Sequence, residues 1–132
     1  MAKQINVVGA VIIRDGTVLC AQRGEGGSLP GMWEFPGGKI EGDETPREAL
    51  TREISEELLC EVVVQDEVTT TAHEYDFGLV TLTTFYCDLL SGTPTLTEHA
   101  EVRWLDPAHL HTLTWAPADI PAVRKIQEDL AG

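Results

Sequence analysis

The sequence predicts an α/β fold in which a mixed β-sheet is packed between α-helices. Three observations favour this class. Segments rich in β-branched residues alternate with amphipathic segments of helical period, turn sequences join the strand-like segments, and neither a repeat nor a low-complexity tract divides the chain. With 132 residues and 42% hydrophobic composition, residues 1–132 are expected to form one domain with a buried core.

The N-terminal elements are predicted to form a β-hairpin. Residues 4–14, QINVVGAVIIR, are rich in β-branched side chains and are typical of a buried strand. Asp15 and Gly16 supply a hairpin turn signal, and residues 17–23 return as the partner strand. A glycine-rich loop is expected to follow over residues 24–32.

The central helix is marked by its capping residues. Thr45 is a favoured N-cap, Pro46 suits the first helical position, and Glu48 completes a Thr-x-x-Glu capping box. The helix is therefore predicted to begin near Thr45 and to end at about Leu58. Its buried face is predicted from apolar residues at helical spacing, which are Leu50, Ile54 and Leu58.

Beside the apolar face, the same helix gathers acidic side chains. Glu53, Glu56 and Glu57 share an arc of about 100°, and like charges at these spacings repel unless a cation offsets them. Arg52 can reach Glu48 and Glu56 by the four-residue spacing, but one guanidinium cannot neutralise the whole cluster. A solvated acidic face is one interpretation. The alternative is a site for a hard divalent ion such as Mg²⁺, which carboxylates on one rigid face are suited to bind.

The C-terminal half is predicted to continue the sheet and to end in a helix. Alternating and β-branched patterns predict strands at residues 60–72, 79–89 and 102–105. Asp106 is the predicted N-cap of a short helical turn. A terminal helix is expected to run to about Leu130, with Asp119 as its candidate cap.

The charge balance argues against a nucleic-acid-binding surface. The formal net charge is −13 at pH 7, whereas phosphate backbones are bound by Lys and Arg. A small polyphosphate is compatible with this charge, because it arrives with metal ions that reverse the local field. No apolar run approaches the roughly 20 residues of a membrane span, and the first residues lack a signal-peptide pattern. We therefore expect a cytoplasmic protein without a membrane partner, in which Cys20, Cys60 and Cys87 are buried thiols.

The glycine pair and the helix together resemble a known signature. Gly38, five residues, Glu44, seven residues and then REISEE at residues 52–57 resemble the motif of the Nudix hydrolases, and the similarity to small MutT-like members extends over nearly the whole chain. One position departs, because Leu59 stands where the family usually has glycine. A glycine would end the helix in the left-handed conformation, so here the helix is expected to run on or to end differently.

The resemblance implies the Nudix fold, a Mg²⁺ cofactor for which Mn²⁺ can substitute, and a set of oxygen ligands. The expected ligands are the carbonyl of Gly38 and the carboxylates of Glu53, Glu56, Glu57 and Glu98, with Glu101 as the second candidate for the place of Glu98. Arg52 and Glu44 are expected to orient these ligands. Either Glu53 or Glu98 would serve as general base, and the sequence does not choose between them.

Each candidate for substrate binding has a structural alternative. Arg23 suits a phosphate clamp or a solvated strand end, and the resemblance favours the clamp. Lys39 is either a phosphate contact or a solvated lysine, and Phe35 either stacks on a base or packs in the core. The resemblance also places Asp119 in the base-recognition region, where a carboxyl group by itself selects neither purine nor pyrimidine.

The resemblance thus implies Mg²⁺-dependent hydrolysis of a nucleoside triphosphate to the monophosphate and pyrophosphate. The expected substrates are 8-oxo-dGTP, in nucleotide-pool sanitation, or CTP and dCTP, and ADP-ribose is a less favoured candidate. A non-catalytic nucleotide-binding module on the same fold is the alternative, and intact glutamates at every expected metal position argue against it. The protein is expected to act as a monomer or a homodimer.

Overall fold

The computed structural model describes residues 3–95 and 99–130. The predicted metal ligand Glu98 lies outside the described residues. The elements in chain order are β1 (Gln4–Arg14), β2 (Thr17–Gln22), β3 (Trp33–Glu34), β4 (Gly37–Lys39), α1 (Pro46–Leu58), β5 (Glu61–Tyr75), β6 (Gly78–Ser91), β7 (Glu101–Leu105), two 3₁₀ helices (Pro107–Thr112 and Pro117–Asp119) and α2 (Ile120–Leu130).

Strand β1 is the central strand of a seven-stranded mixed sheet. On one side it pairs in parallel with β6, from Gln4 opposite Leu79 to Ile13 opposite Asp88. On the other side it pairs antiparallel with β4 near its middle and with β2 near its end. Strand β5 flanks β6, while β3 and β7 both pair with β2. The predicted mixed sheet is therefore confirmed.

Alternate residues of β1 face two hydrophobic cores, because successive side chains of a strand point to opposite faces. Val8, Ala10 and Ile12 pack with the apolar face of α1. Val11 instead packs with the apolar residues of α2, as does Val18 of β2. The two helices thus cover opposite faces of the sheet, and the predicted arrangement of a sheet between helices is confirmed.

Helix α1 begins as its capping residues predict. Thr45 Oγ1 accepts the N–H of Glu48 at 3.1 Å, and Glu48 Oε1 accepts the N–H of Thr45 at 2.9 Å, so the capping box is formed. The carboxylate of Glu48 therefore accepts a hydrogen bond from the N-cap residue and not from Arg52. The helix ends at Leu58, and Leu59 takes the left-handed conformation, with φ 54° and ψ 38°. A leucine thus adopts the cap conformation that glycine favours, so the expectation that the helix runs on or ends differently is wrong.

Several element boundaries differ from the expectation. β2 ends at Gln22, and Arg23 belongs to the following loop, where its N–H donates to the carbonyl of Met32. The segment around the glycine pair forms the short strands β3 and β4, which no local sequence pattern predicts because their pairing depends on β1 and β2. Strand β5 extends to Tyr75 and β6 begins at Gly78, so the turn between them is tighter than expected.

The first hairpin turn and the cysteines agree with the sequence. Asp15 and Gly16 have φ values of 52° and 77°, and positive φ at both central residues is what a two-residue type I′ turn requires. All three cysteines are buried free thiols. Among residues 3–95 and 99–130, no helix has the length and apolar character needed to cross a membrane.

Candidate active site

A cavity of about 680 Å³ is lined by β4, the 24–32 loop, the end of β5 and the second 3₁₀ helix. Part of the lining is apolar and comes from a small core cluster, which supplies Ile5, Val7, Val80, Leu82 and Ala118. The remaining lining includes polar side chains and bare backbone, among them Arg23, Glu34, Gly37, Gly38, Lys39, Glu57, His99 and Asp119. A cavity of this size and mixed lining suits a small molecule that carries both an apolar ring and charged groups.

The glycine pair is required by close packing. A Cβ at Gly37 would collide with the backbone of Val8 and Gly9 in the central strand. A Cβ at Gly38 would lie 2.5 Å from the carboxyl carbon of Glu53. Glycine at position 38 therefore lets the Glu53 carboxylate lie directly against the backbone of β4.

Arg52 connects the carboxylates of α1 to the glycine-rich strand. Its Nε and Nη2 lie 2.7 and 2.9 Å from the two oxygens of Glu44, and its Nη1 lies 2.8 Å from Glu53 and 3.3 Å from Glu56. Nη2 also donates to the carbonyl of Lys39 at 3.1 Å. The hydrogen bonds from Arg52 are the main cause that lowers the pKa of Glu44 to about 2. One guanidinium thus donates hydrogen bonds to three carboxylates that would otherwise repel one another, and Glu41 lies 3.8 Å from its Nη2.

The three glutamates of α1 differ in their surroundings. The side chain of Glu53 is 13% exposed and lies against Gly38, whereas that of Glu56 is 62% exposed beside Arg52. Glu57 lines the cavity. The sequence placed all three on one arc, and the fold brings Glu57 to the cavity and Glu53 against the cavity-lining Gly38.

The donor atoms at this corner fit a hard divalent cation. Glu53, Glu57 and the backbone of Gly38 offer oxygen donors, which Mg²⁺ and Mn²⁺ prefer, and the absence of a side chain at Gly38 brings backbone and carboxylate together. In the part of the chain that the structure describes, no three Asp, Glu, His or Cys side chains converge into a metal-binding cluster. A metal site here would therefore need donors beyond those side chains, such as the Gly38 carbonyl, substrate oxygens or water. Glu101, the second candidate for the place of Glu98, forms an ion pair with Arg103 at 2.5 Å.

Arg23 is held at the cavity by Glu34 and by the loop that follows it. Its Nη1 donates to Glu34 Oε1 at 2.6 Å, while Nε and Nη2 donate to the carbonyl and the hydroxyl oxygen of Ser28. Glu34 Oε2 in turn lies 2.9 Å from His99 Nε2. A guanidinium has five N–H groups, and the hydrogen bonds of Arg23 to described residues use three of them. One N–H on each terminal nitrogen is left for a ligand, so Arg23 is fixed in place and still able to bind.

Phe35 and Asp119 meet at the cavity although they are far apart in the sequence. The Phe35 ring packs on Trp115 with centroids 4.7 Å apart, and the Phe35 N–H donates to Asp119 Oδ1 at 3.1 Å. Asp119 is 5% exposed, and burial raises its pKa well above the ordinary value, against the opposing effect of the Phe35 N–H. Among the described residues, the hydrogen bond of this carboxyl goes to Phe35 and not to α2. The interpretation of Asp119 as the cap of that helix is therefore wrong.

Some lining residues were identified by the sequence and others were missed. Lys39 is exposed at the cavity, as either of its two interpretations allows. Glu34, Tyr75 and His99 also line the cavity, and no spacing pattern marked them. Glu34 stands directly before the candidate Phe35, and this position in the sequence is the signal that could have identified Glu34. The contacts of Glu34 and His99 with each other and of Tyr75 with Ala118 join distant segments of the chain, so they become visible in the tertiary structure.

Comparisons with known proteins identify the family of this chain. The NUDIX domain family matches residues 7–125. CTP pyrophosphohydrolase of Escherichia coli K12 is 40% identical over 119 residues, which are 90% of this chain and 88% of the relative. An 8-oxo-dGTP diphosphatase of Haemophilus influenzae is 30% identical over 128 residues, covering 96% of this chain and 94% of that protein.

A solved structure extends the likeness to three dimensions. The solution structure of "DNA Mismatch Repair Protein MutT (Family Nudix Hydrolase)" from methicillin-resistant Staphylococcus aureus 252 is 59% identical, with a TM-score of 0.82, and the match covers 98% of this chain and 99% of that chain. Nudix hydrolases generally use a divalent metal ion, in agreement with the oxygen donors beside Gly38. On its sequence, its fold and the arrangement of its signature residues, the chain belongs to the Nudix hydrolase family, in the MutT-like branch.

Proposed function

We propose that this protein hydrolyses a (deoxy)nucleoside triphosphate to the monophosphate and pyrophosphate with Mg²⁺, for which Mn²⁺ can substitute. One observation carries the proposal: a single cavity combines Glu57 and the bare backbone of Gly38 with an apolar wall and the buried acid Asp119. The first part suits a metal-bound polyphosphate and the second a base. Residues 1–132 would act as one Nudix domain, in a monomer or a homodimer.

Oxygen donors around Gly38 would hold the metal. The proposed ligands are the carbonyl of Gly38 and the carboxylates of Glu53, Glu57, Glu56 and Glu98. When bound, Mg²⁺ neutralises phosphate charge and lowers the pKa of a coordinated water. Arg52 orients Glu53 and Glu44 through the hydrogen bonds that it donates to both.

Cationic side chains at the cavity would bind the phosphates. The two remaining N–H groups of Arg23 can donate to phosphate oxygens, and the contacts to Glu34 and Ser28 keep the guanidinium in position. Lys39, exposed at the same cavity, adds a point charge. Because Arg23 is already ordered, little side-chain entropy is lost when a substrate binds.

The chemical step is the attack of water on a phosphorus atom. The water oxygen forms a new P–O bond, the anhydride bond between the α- and β-phosphates breaks, and pyrophosphate leaves. A carboxylate takes the proton of the water, and Glu53 and Glu98 are the two candidates. Glu53 is held in place both by Arg52 and by its contact with Gly38.

The base would bind between the apolar wall and Asp119. Phe35, backed by Trp115, supplies a fixed aromatic ring at the cavity. Burial favours the protonated form of Asp119, which can donate a hydrogen bond to a base, whereas an ionised carboxylate can only accept one. By likeness to the relatives named 8-oxo-dGTP diphosphatase and CTP pyrophosphohydrolase, we propose 8-oxo-dGTP or CTP and dCTP as substrates.

A substrate panel tests the proposal. Pyrophosphate release and kcat/KM are measured with Mg²⁺ for normal and oxidised nucleoside triphosphates, with ADP-ribose as a further substrate. We expect Glu53→Gln to lower kcat/KM by at least about 100-fold, because the metal and the water lose a carboxylate. Glu128→Gln, an exposed change on α2, is the matched control and should act as the parent protein does. Nucleotide binding without turnover would instead support the non-catalytic module, and full activity of Glu53→Gln would contradict the proposed metal site.

A further inference from the structure

Tyr75 is a cavity residue to which the proposed reaction gives no role so far. It is the last residue of β5, directly before the turn to β6, and it lines the cavity together with Ala118 and Asp119. Its ring packs with the same apolar cluster, which includes Val80 and Leu82. A tyrosine in this place brings a polar group to an otherwise apolar wall.

The ring of Tyr75 is fixed by aromatic contacts on β5 and in the turn. Phe77 stacks on it with centroids 5.0 Å apart and an interplanar angle of 7°. His73 contacts it with centroids 4.6 Å apart at 55°. Because the hydroxyl oxygen lies in the plane of the ring, a fixed ring also fixes the position of that oxygen.

The hydroxyl of Tyr75 is left as a hydrogen-bond donor. The N–H of Ala118 donates to Tyr75 Oη at 2.8 Å, which occupies one lone pair and leaves the phenolic proton to point elsewhere. Burial raises the pKa of Tyr75, so the phenol keeps its proton at neutral pH. The charges that act on this hydroxyl belong to Asp119, Arg23 and Glu34, and all three residues line the cavity.

We propose that the Tyr75 hydroxyl is a specificity-determining group, which donates a hydrogen bond to an acceptor atom on the base of the bound nucleotide. The inference rests on the proposed function, because it takes the ligand to be a nucleotide with its base near Asp119. Guanine offers N7 and O6 as acceptors, whereas 8-oxoguanine offers O6 and O8 and carries a proton on N7. Cytosine offers O2 and N3, and the exocyclic amino group of cytosine or adenine is a donor. A base that turned a donor towards Tyr75 could pair only with the second lone pair of Oη, which would leave the phenolic proton without an acceptor, and a buried polar site disfavours such a ligand.

The alternative is that the hydroxyl only anchors the second 3₁₀ helix through Ala118. If the Tyr75 hydroxyl contacts the base, the effect of Tyr75→Phe depends on whether the nucleotide carries the contacted acceptor. If the hydroxyl only anchors the 3₁₀ helix, the effect is the same for every nucleotide. The test compares Tyr75→Phe with the parent protein on 8-oxo-dGTP, dGTP and CTP, and on analogues of dGTP and CTP that each lose or weaken an acceptor: 7-deaza-dGTP, 2-aminopurine deoxyribonucleoside triphosphate, 3-deaza-CTP and 2-thio-CTP. The control is Tyr86→Phe, because Tyr86 donates to Asp129 of α2 at 2.7 Å and is absent from the described residues that line the cavity.

We expect Tyr75→Phe to lower kcat/KM about five- to tenfold for a parent nucleotide, and less than about twofold for the analogue without the contacted acceptor. An equal effect of Tyr75→Phe on every nucleotide, or none, would overturn the proposal. Should Tyr75→Phe not fold, a ring-fluorinated tyrosine at position 75 keeps the hydrogen bond from Ala118 and makes the hydroxyl a stronger donor. The ratio of kcat/KM on the parent nucleotide to kcat/KM on the analogue without the contacted acceptor must then rise. If the parent protein hydrolyses none of these nucleotides, the proposed hydrolysis is wrong. The role of Tyr75 is then tested by calorimetry, which compares the binding of the matching monophosphates to the parent protein and to Tyr75→Phe.

Discussion

Replacing Gly38 with alanine is expected to lower the activity of this protein strongly and to change its stability little. The added Cβ would lie 2.5 Å from the carboxyl carbon of Glu53, whereas ordinary contacts begin at 3.4 Å. The Glu53 carboxylate must therefore move by the difference, about 0.9 Å. Because a misplacement of about 1 Å can lower a rate about 100-fold, we expect kcat/KM to fall by that order. The assay is Mg²⁺-dependent pyrophosphate release from the preferred triphosphate.

The neighbouring glycine supplies the contrast. At Gly37 the Cβ would meet the backbone of Val8 and Gly9, which the central strand cannot move without losing its pairing. At Gly38 it meets the end of a flexible side chain. Gly37→Ala should therefore lower Tm strongly, and Gly38→Ala by no more than about 4 °C, as followed by circular dichroism. Wild-type activity in Gly38→Ala, or equal loss of Tm in both variants, would refute the reasoning.

Two further changes test the helix end and the buried acid. Leu59→Gly should stabilise the protein by about 0.5–1 kcal/mol, or roughly 2–4 °C in Tm, because Leu59 has φ 54° and is 59% exposed. Leu59→Ala is the control, since alanine keeps the backbone strain. An equal gain in Tm from alanine would contradict the explanation. Because the pKa of Asp119 is raised in the folded state, the unfolded chain releases this proton first as the pH rises above about 4, and wild-type stability falls. Asp119→Asn removes this titration. In urea unfolding, the free energy of unfolding of Asp119→Asn should therefore rise relative to that of the wild type between pH 4 and pH 7, by at most about 1.4 kcal/mol per pH unit. A difference between the two proteins that stays constant with pH would argue against a raised pKa.

The parts of the fold that the sequence predicted are those fixed by neighbouring residues. The start of α1 follows from Thr45 and Glu48, which bond to each other's backbone within one turn. The first hairpin follows from Asp15 and Gly16, where positive φ is needed. In each case the partner atoms lie within a few positions along the chain, so a local pattern is sufficient.

The parts that the sequence missed depend on partners far along the chain. Strands β3 and β4 are too short to show a pattern, and they exist because β2 and β1 offer them hydrogen bonds. Asp119 looked like a helix cap, but its carboxyl accepts the N–H of Phe35, 84 positions away. The bond from Arg23 to Glu34 and the contact between Glu34 and His99 likewise join separate segments.

Helical spacing and capping are local properties, so the order of the residues is sufficient to predict that carboxylates gather on one side of a capped helix that follows two glycines. What each carboxylate contacts depends on the folded arrangement: Glu53 lies against Gly38, Glu56 stays largely exposed, and Glu57 reaches the cavity. The same arrangement brings Tyr75 and Asp119 to that cavity. These outcomes depend on how α1, β4 and the second 3₁₀ helix are placed around β1, and side-chain packing between distant segments sets that placement.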